Sequence, residues 1–139
     1  MNAPFTNPPL DEIHALLKRV KTIAVVGLSG SPGRPSHNVA GALQSFGYRI
    51  IPVNPTIDQV LGERAYPDLR SAPEAIDLVD VFRSPEHVAG IVDDCIALRL
   101  PALWLQDGVV DEAAAWRAKA AGIQVVMDRC IYRDYRQLC

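Results

Sequence analysis

Five short apolar runs punctuate this chain, and each is followed by chain-breaking residues and, in most cases, by a helical pattern. They are Thr22-Ile-Ala-Val-Val-Gly27, Tyr48 to Val53, Leu78-Val-Asp-Val-Phe82, Ala102-Leu-Trp-Leu105 and Gln124-Val-Val-Met127. Such runs read as strands, and the first, a compact β-branched run ending in Gly27, as one buried on both faces. The segments between them have a different period. Leu10, Ile13, Leu16, Leu17 and Val20 predict a short amphipathic helix over 10–20. Ser36 is a good N-cap, Val39, Leu43 and Phe46 give the next helix its apolar face, and Gly47 is placed to end it. Ser84-Pro85-Glu86 opens a third helix, with Val88, Ile91, Val92, Cys95 and Ile96 as its stripe. Asp111 begins a fourth, closed by Gly122, and Ile131 to Cys139 forms a short last helix. Residues 56–75, with Gly62, Pro67 and Pro73, hold only short helical pieces.

Strands alternating with helices imply an α/β fold: one five-stranded parallel sheet with helices on both faces. An order of 3-2-1-4-5 for the five strands suits a nucleotide-binding unit. With 139 residues there is room for one domain, read as 10–139 after a flexible N-terminal arm, 1–9, that carries Pro4, Pro8 and Pro9. The 11 prolines exceed the usual ~5%, yet outside the arm most breakers mark element ends rather than disorder.

Charge and cysteines bound the partners. Fourteen Lys and Arg against 16 Asp and Glu leave net −2, so nothing in bulk draws the chain to nucleic acid or to an acidic membrane. No apolar stretch approaches the ~20 residues of a membrane helix, and Met1 to Pro9 has no signal-peptide character. Three cysteines, Cys95, Cys130 and Cys139, without CxxC spacing, fit reduced thiols in a cytoplasm. His14, His37 and His87 are isolated from one another, so no metal site is expected.

Ligands of open parallel sheets bind beyond the carboxyl ends of the strands. The first such loop, Gly27 to Ser36, joins a buried strand to a helix start and holds Gly27, Gly30, Gly33, Ser29, Ser31 and Arg34. Glycines permit close backbone approach, and a helix start favours a phosphate. Gly-x-Gly-x-x-Gly is not matched, because Ser29 stands at the second glycine, and no Gly-Lys-Ser/Thr follows. The second strand ends Val53-Asn54-Pro55, without the carboxylate that holds a NAD ribose, so plain NAD binding is disfavoured. The bland alternatives are a tight turn for the loop, a solvated His37 beside it, and a packed thiol for Cys130. Asp107 and Asp128 are flagged as a polar pair at strand ends.

Taken together, "IAVVGLSGSPGRPSHNVAGALQSFGYRIIPVNP", "VLGERAYPDL", "DLVDVFRSPE", "ALWLQDGV" and "VVMDRCI" resemble the small bacterial and archaeal CoA-binding proteins. These are similar to the CoA-binding domain of the succinyl-CoA synthetase α subunit. The resemblance runs from Thr22 to Ile131 and implies a Rossmann-like fold. It implies CoA phosphates at Gly27, Ser29, Pro32, Arg34 and Ser36, and the adenosine end beside Val53, Asn54 and Pro55. It places Phe82, Arg83 and Pro85 along the adjoining wall, Gln106 and Gly108 beyond, and Arg129 and Cys130 at the last strand end. The synthetase adds a ligase domain for which this chain has no room.

The expected function is therefore a cytoplasmic, non-enzymatic protein holding CoA or acyl-CoA at the carboxyl edge of its sheet. The alternative is a small enzyme, or an enzyme subunit, acting on a CoA- or NADP-linked substrate. A homodimer or an unidentified protein partner stays open.

Overall fold

The computed structural model describes residues 3–139, and a single α/β domain forms around one parallel sheet. The strands are β1 (Thr22–Val26), β2 (Arg49–Val53), the short pair β3 (Gln59–Val60) and β4 (Glu63–Arg64), then β5 (Leu78–Val81), β6 (Ala102–Leu105) and β7 (Gln124–Met127). The helices are α1 (Leu10–Arg19), α2 (Pro35–Ser45), α3 (Val88–Ala97), α4 (Glu112–Ala120) and α5 (Ile131–Leu138).

All five long strands expected from the apolar runs are present, and every pairing among them is parallel. Their order is β2-β1-β5-β6-β7, which is 2-1-3-4-5 among the five and corrects the expected 3-2-1-4-5. The physical reason lies at Pro52. Its carbonyl faces the outer side of β2, where it accepts Tyr66 N–H at 3.0 Å, and on that side proline has no N–H to offer. A third strand cannot extend the sheet there. β5 instead pairs with the free side of β1.

Residues 56–75 also differ from expectation. They contain the antiparallel β3–β4 pair and a 3₁₀ turn over Leu69–Ser71, and Tyr66 bridges to Val53. Two-residue strands carry too few positions to show a period.

The alternation of each strand divides the core. Ala24, Val26, Val79, Val81, Leu103 and Leu105 face α3 and α4, while Ile23, Val25, Leu78, Trp104 and Val126 face α1, α2 and α5. Cys95 lies in the first group, fully buried, and burial pushes its thiol up to about 12, so it is an inert packing residue. Gly47 and Gly122 end α2 and α4 with φ of 105° and 90°, as their positions suggested. Asp111 caps α4 by accepting Ala114 N–H at 3.0 Å. Ser36, by contrast, is not a cap: α2 starts at Pro35, and the cap position is Arg34.

Residues 3–9 form no helix or strand but are docked on the domain. Phe5 N–H donates to Glu112, Trp116 donates to Ala3 O, and Asn7 bonds the backbone of Met127. Of the arm read over 1–9, residues 1 and 2 lie outside the described residues.

Asp80 breaks the apolar rule of the core. It sits mid-strand on β5 in register with Val25 and Trp104, fully buried, and neither carboxyl oxygen has a hydrogen-bond partner among the described residues. Burial drives its pKa well above the ordinary 3.8. The folded chain thus binds a proton that the unfolded chain releases. The Asp80 contribution to stability is fully present below the unfolded value and falls by about 1.4 kcal/mol per pH unit until Asp80 ionises in the native state. Asp80→Asn removes this slope. Urea unfolding from pH 4 to 8 is expected to show Asp80→Asn progressively more stable than the parent as pH rises; parallel profiles would refute a neutral Asp80.

Candidate functional site

A parallel sheet in this order changes direction between β1 and β5, so the loops after those strands part and leave a crevice at their carboxyl ends. The β1 loop and the β5 loop nearly touch at one point. Gly27 has φ +86°, and a Cβ there would lie 2.8 Å from both Phe82 O and Arg83 Cδ. The backbone carbonyl cannot yield, so both the conformation and the contact require glycine.

Beyond Gly27 the loop is fixed by its own side chains. Leu28 is buried in the core. Ser29 N–H donates to Ser36 Oγ (2.9 Å), and Ser31 N–H donates to Ser29 Oγ (3.1 Å). Asn54 bolts the β1 loop to the β2 loop. Its Nδ2 donates to Leu28 O at 3.0 Å, and its Oδ1 accepts both the N–H and the hydroxyl of Thr56.

These loops enclose an open cleft of about 750 Å³ lined by Gly27, Ser29, Gly30, Ser31, Arg34, Asn54, Pro55, Thr56, Ile57, Gln59 and Arg83. No carboxylate lines it. Among the described residues, neither Arg34 nor Arg83 has a carboxylate partner. Arg83 Nη2 instead approaches His87 Nε2 at 3.0 Å on the cleft wall. Two such guanidiniums on one cleft attract an anion. A smaller cleft of about 430 Å³ continues past Asn54, Pro55 and Ile57 to Asp58, Arg64, Ala65 and Pro67. Another, about 720 Å³, lies under residues 5–9 beside Ile123 and Gln124, at the amino end of β7 and so away from the ligand edge.

Of the residues singled out from sequence, the main cleft collects Gly27, Ser29, Arg34, Asn54, Pro55 and Arg83. Pro32, Ser36, Val53, Phe82 and Pro85 neighbour it in the chain without lining it. Gln106, Gly108, Arg129 and Cys130 belong to a separate polar knot where β6 and β7 end. There Gln106 Oε1 accepts Ile131 N–H, and Gly108 N–H donates to Asp128. Arg129 binds the fully buried Asp134 through two hydrogen bonds of 2.6 and 2.8 Å. Cys130, half-buried, precedes α5. Asp107 and Asp128, flagged together, are used separately: Arg133 holds the Asp107 carboxyl below its usual range. Thr56, Ile57 and Gln59 were missed; Thr56 is held to the cleft rim by Asn54 Oδ1, and Ile57 and Gln59 follow it toward β3. Their sequence carries no signal beyond following Asn54-Pro55.

Comparison with known proteins now bears on this cleft. A family model described as a CoA binding domain matches residues 21–136. The chain belongs to that family. Within the CoA-binding domain family, it is 46% identical over 125 residues to the uncharacterized protein YneT of Bacillus subtilis, covering 90% of this chain and 93% of YneT. A solved structure of a hypothetical protein from Pyrococcus horikoshii superposes with a TM-score of 0.92 at 32% identity, covering 99% of this chain and 97% of that one. An ADP-forming acetate–CoA ligase of Archaeoglobus fulgidus is 30% identical over 77 residues, which is 54% of this chain but 11% of the ligase. The domain is thus similar both to small proteins of its own length and to one part of a much larger ligase.

The glycines give a test of the crevice. Gly27→Ala is expected to cost about 2 kcal/mol or more through left-handed strain and the clash with Phe82 O. A Cβ on Gly30 would meet Ile57 Cγ2 at 3.5 Å, an ordinary contact. Gly30→Ala should therefore stay within about 0.5 kcal/mol of the parent. Chemical denaturation of both variants checks the contrast, and equal losses would remove the special role of Gly27.

The polar knot gives another. Arg129→Ala strands the buried Asp134 carboxylate and is expected to destabilise by about 3 kcal/mol. Thermal unfolding of Arg129→Ala and of the double variant Arg129→Ala/Asp134→Leu, which removes the stranded charge, checks this: the second is expected to recover most of the loss.

Proposed function

We propose that the protein binds CoA or an acyl-CoA in the cleft between the β1, β2 and β5 loops and carries out no chemistry of its own. The observation that carries this reading is a cleft with two carboxylate-free arginines and no acidic lining, set at the switch point of a CoA-binding domain. The ligand's diphosphate lies against the Gly27–Arg34 loop, where the α2 N-terminus adds its positive dipole end, and Arg34 and Arg83 neutralise its charge. Asn54 acts as a positioning residue, since its amide is spent on Leu28 and Thr56. A carboxylate for the diol of NAD is absent from this lining, which favours CoA over NAD.

The same reading takes 10–139 as the binding domain and places the protein in a reducing cytoplasm. Cys95, Cys130 and Cys139, all free, support that placement. Among the described residues no helix is long and apolar enough to cross a membrane. A second reading, a subunit of a CoA-dependent enzyme, is favoured by the match to part of the Archaeoglobus ligase.

Calorimetric titration and thermal shift with CoA, dephospho-CoA, NAD and NADP test the proposal. CoA at 100 times its dissociation constant is expected to stabilise by about 2.7 kcal/mol, a rise in melting temperature on the order of 10 °C. Arg34→Ala and Arg83→Ala are each expected to weaken binding by roughly 10- to 100-fold, the loss of a charge-assisted contact. A protein stabilised by NADP and not by CoA would overturn the reading. Turnover of an acyl-CoA by the chain alone would replace the non-enzymatic part with the enzyme reading.

A further inference from the structure

Both edges of the sheet are covered in part, each at one residue and neither by a full strand. At the β2 edge Pro52 has no N–H, and Tyr66 takes what remains: its N–H donates to Pro52 O, and its O accepts Asn54 N–H at 2.9 Å. At the β7 edge a side chain does the same work. Asn7 Nδ2 donates to Met127 O at 2.8 Å, and Met127 N–H donates to Asn7 Oδ1 at 2.7 Å. One carboxamide thus stands in for the peptide group of an absent neighbouring strand. Gln124 N–H points the other way, to Pro101 O on the β6 side. By the alternation of a parallel ladder, Val125 and Met127 turn their backbone groups outward.

The segment bearing Asn7 is fastened by a second set of contacts on α4. Phe5 meets Trp116 edge to face with centroids 5.8 Å apart, and the Lys119 ammonium lies 5.1 Å from the Trp116 ring centroid. Trp116 Nε1 donates to Ala3 O. All of these contacts are exposed or only partly buried. The family match begins at residue 21, so this strap lies outside the matched residues.

We propose that residues 3–9 are an edge guard, and that lifting them lets β7 pair with β7 of a second copy of this chain. An unpaired edge strand seeks backbone partners. The β2 edge of another copy is a poor partner, because Pro52 has no N–H and Tyr66 occupies its carbonyl. That leaves β7 itself, in an antiparallel pairing about a two-fold axis, which closes as a dimer and does not propagate into a filament. The sequence Gln124-Val-Val-Met127 carries no charge, so two copies meet without repulsion. The guard acts far from the cleft and does not rest on what the cleft binds.

The test uses the full chain with Asn7→Ala, and with Phe5→Ala as a second variant that loosens the strap without touching β7. Hydrogen exchange read residue by residue in dilute protein is expected to show Met127 N–H exchanging at least tenfold faster in both variants, with β6 amides unchanged. Sedimentation over a concentration series is expected to show a dimer whose dissociation constant is at least tenfold lower than that of the unsubstituted chain. In that dimer the Met127 amide is protected again and the Val125 amide becomes protected. Unchanged Met127 exchange, unchanged association, or a dimer in which Val125 and Met127 still exchange freely would each overturn the proposal.

Discussion

The cleft depends on the close approach of two backbones at Gly27. β1 lies between β2 and β5, so its loop must leave the sheet past the start of the β5 loop with no side chain between them. Any Cβ at Gly27 would push on the Phe82 carbonyl and displace the stem of Arg83. The contact that permits the turn therefore also sets where one of the two cleft arginines begins. Asn54 adds the second constraint by joining the β1 and β2 loops, so three strand ends are held as one rigid rim.

Charge then divides the carboxyl edge into two halves. On the β6–β7 side, Asp107 is paired with Arg133, Asp134 with Arg129, and Asp128 with the Gly108 amide. On the β2–β1–β5 side, Arg34 and Arg83 have no such partners among the described residues, and Ser31 and Gln59 add polar side chains to the lining. An anionic ligand is attracted to the half where positive charge is uncompensated. In the proposed reading that anion is CoA, in keeping with the description of the family to which the chain belongs.

The five strands were legible because strands buried on both faces are nearly continuous apolar runs, as Ile23 to Val26 and Ala102 to Leu105 are, with Asp80 the exception in β5. The Asp111 cap and the glycines at 47 and 122 were legible because local geometry demands those residues. Strand order was not, although Pro52 held the clue: its missing donor faces outward, and only pairing tells which side is outward. The candidate site was legible as a set of loops and not as a set of contacts. The sequence names Asn54, Ser36 and Gln106 without showing that Asn54 also donates to Leu28 O, or that Ser36 and Gln106 accept from the Ser29 and Ile131 amides. Asp80 read as one acid among many, since nothing local reveals that both its neighbours in register are buried.

Amide chemical-shift mapping of the isotopically labelled protein during a CoA titration tests the central claim most directly. The account predicts that the shifts concentrate at Gly27 to Arg34, Thr56 to Gln59 and Arg83, and that Asp107, Gly108, Arg129 and Cys130 stay unmoved. Shifts concentrated at the ends of β6 and β7, with the Gly27 loop silent, would contradict it.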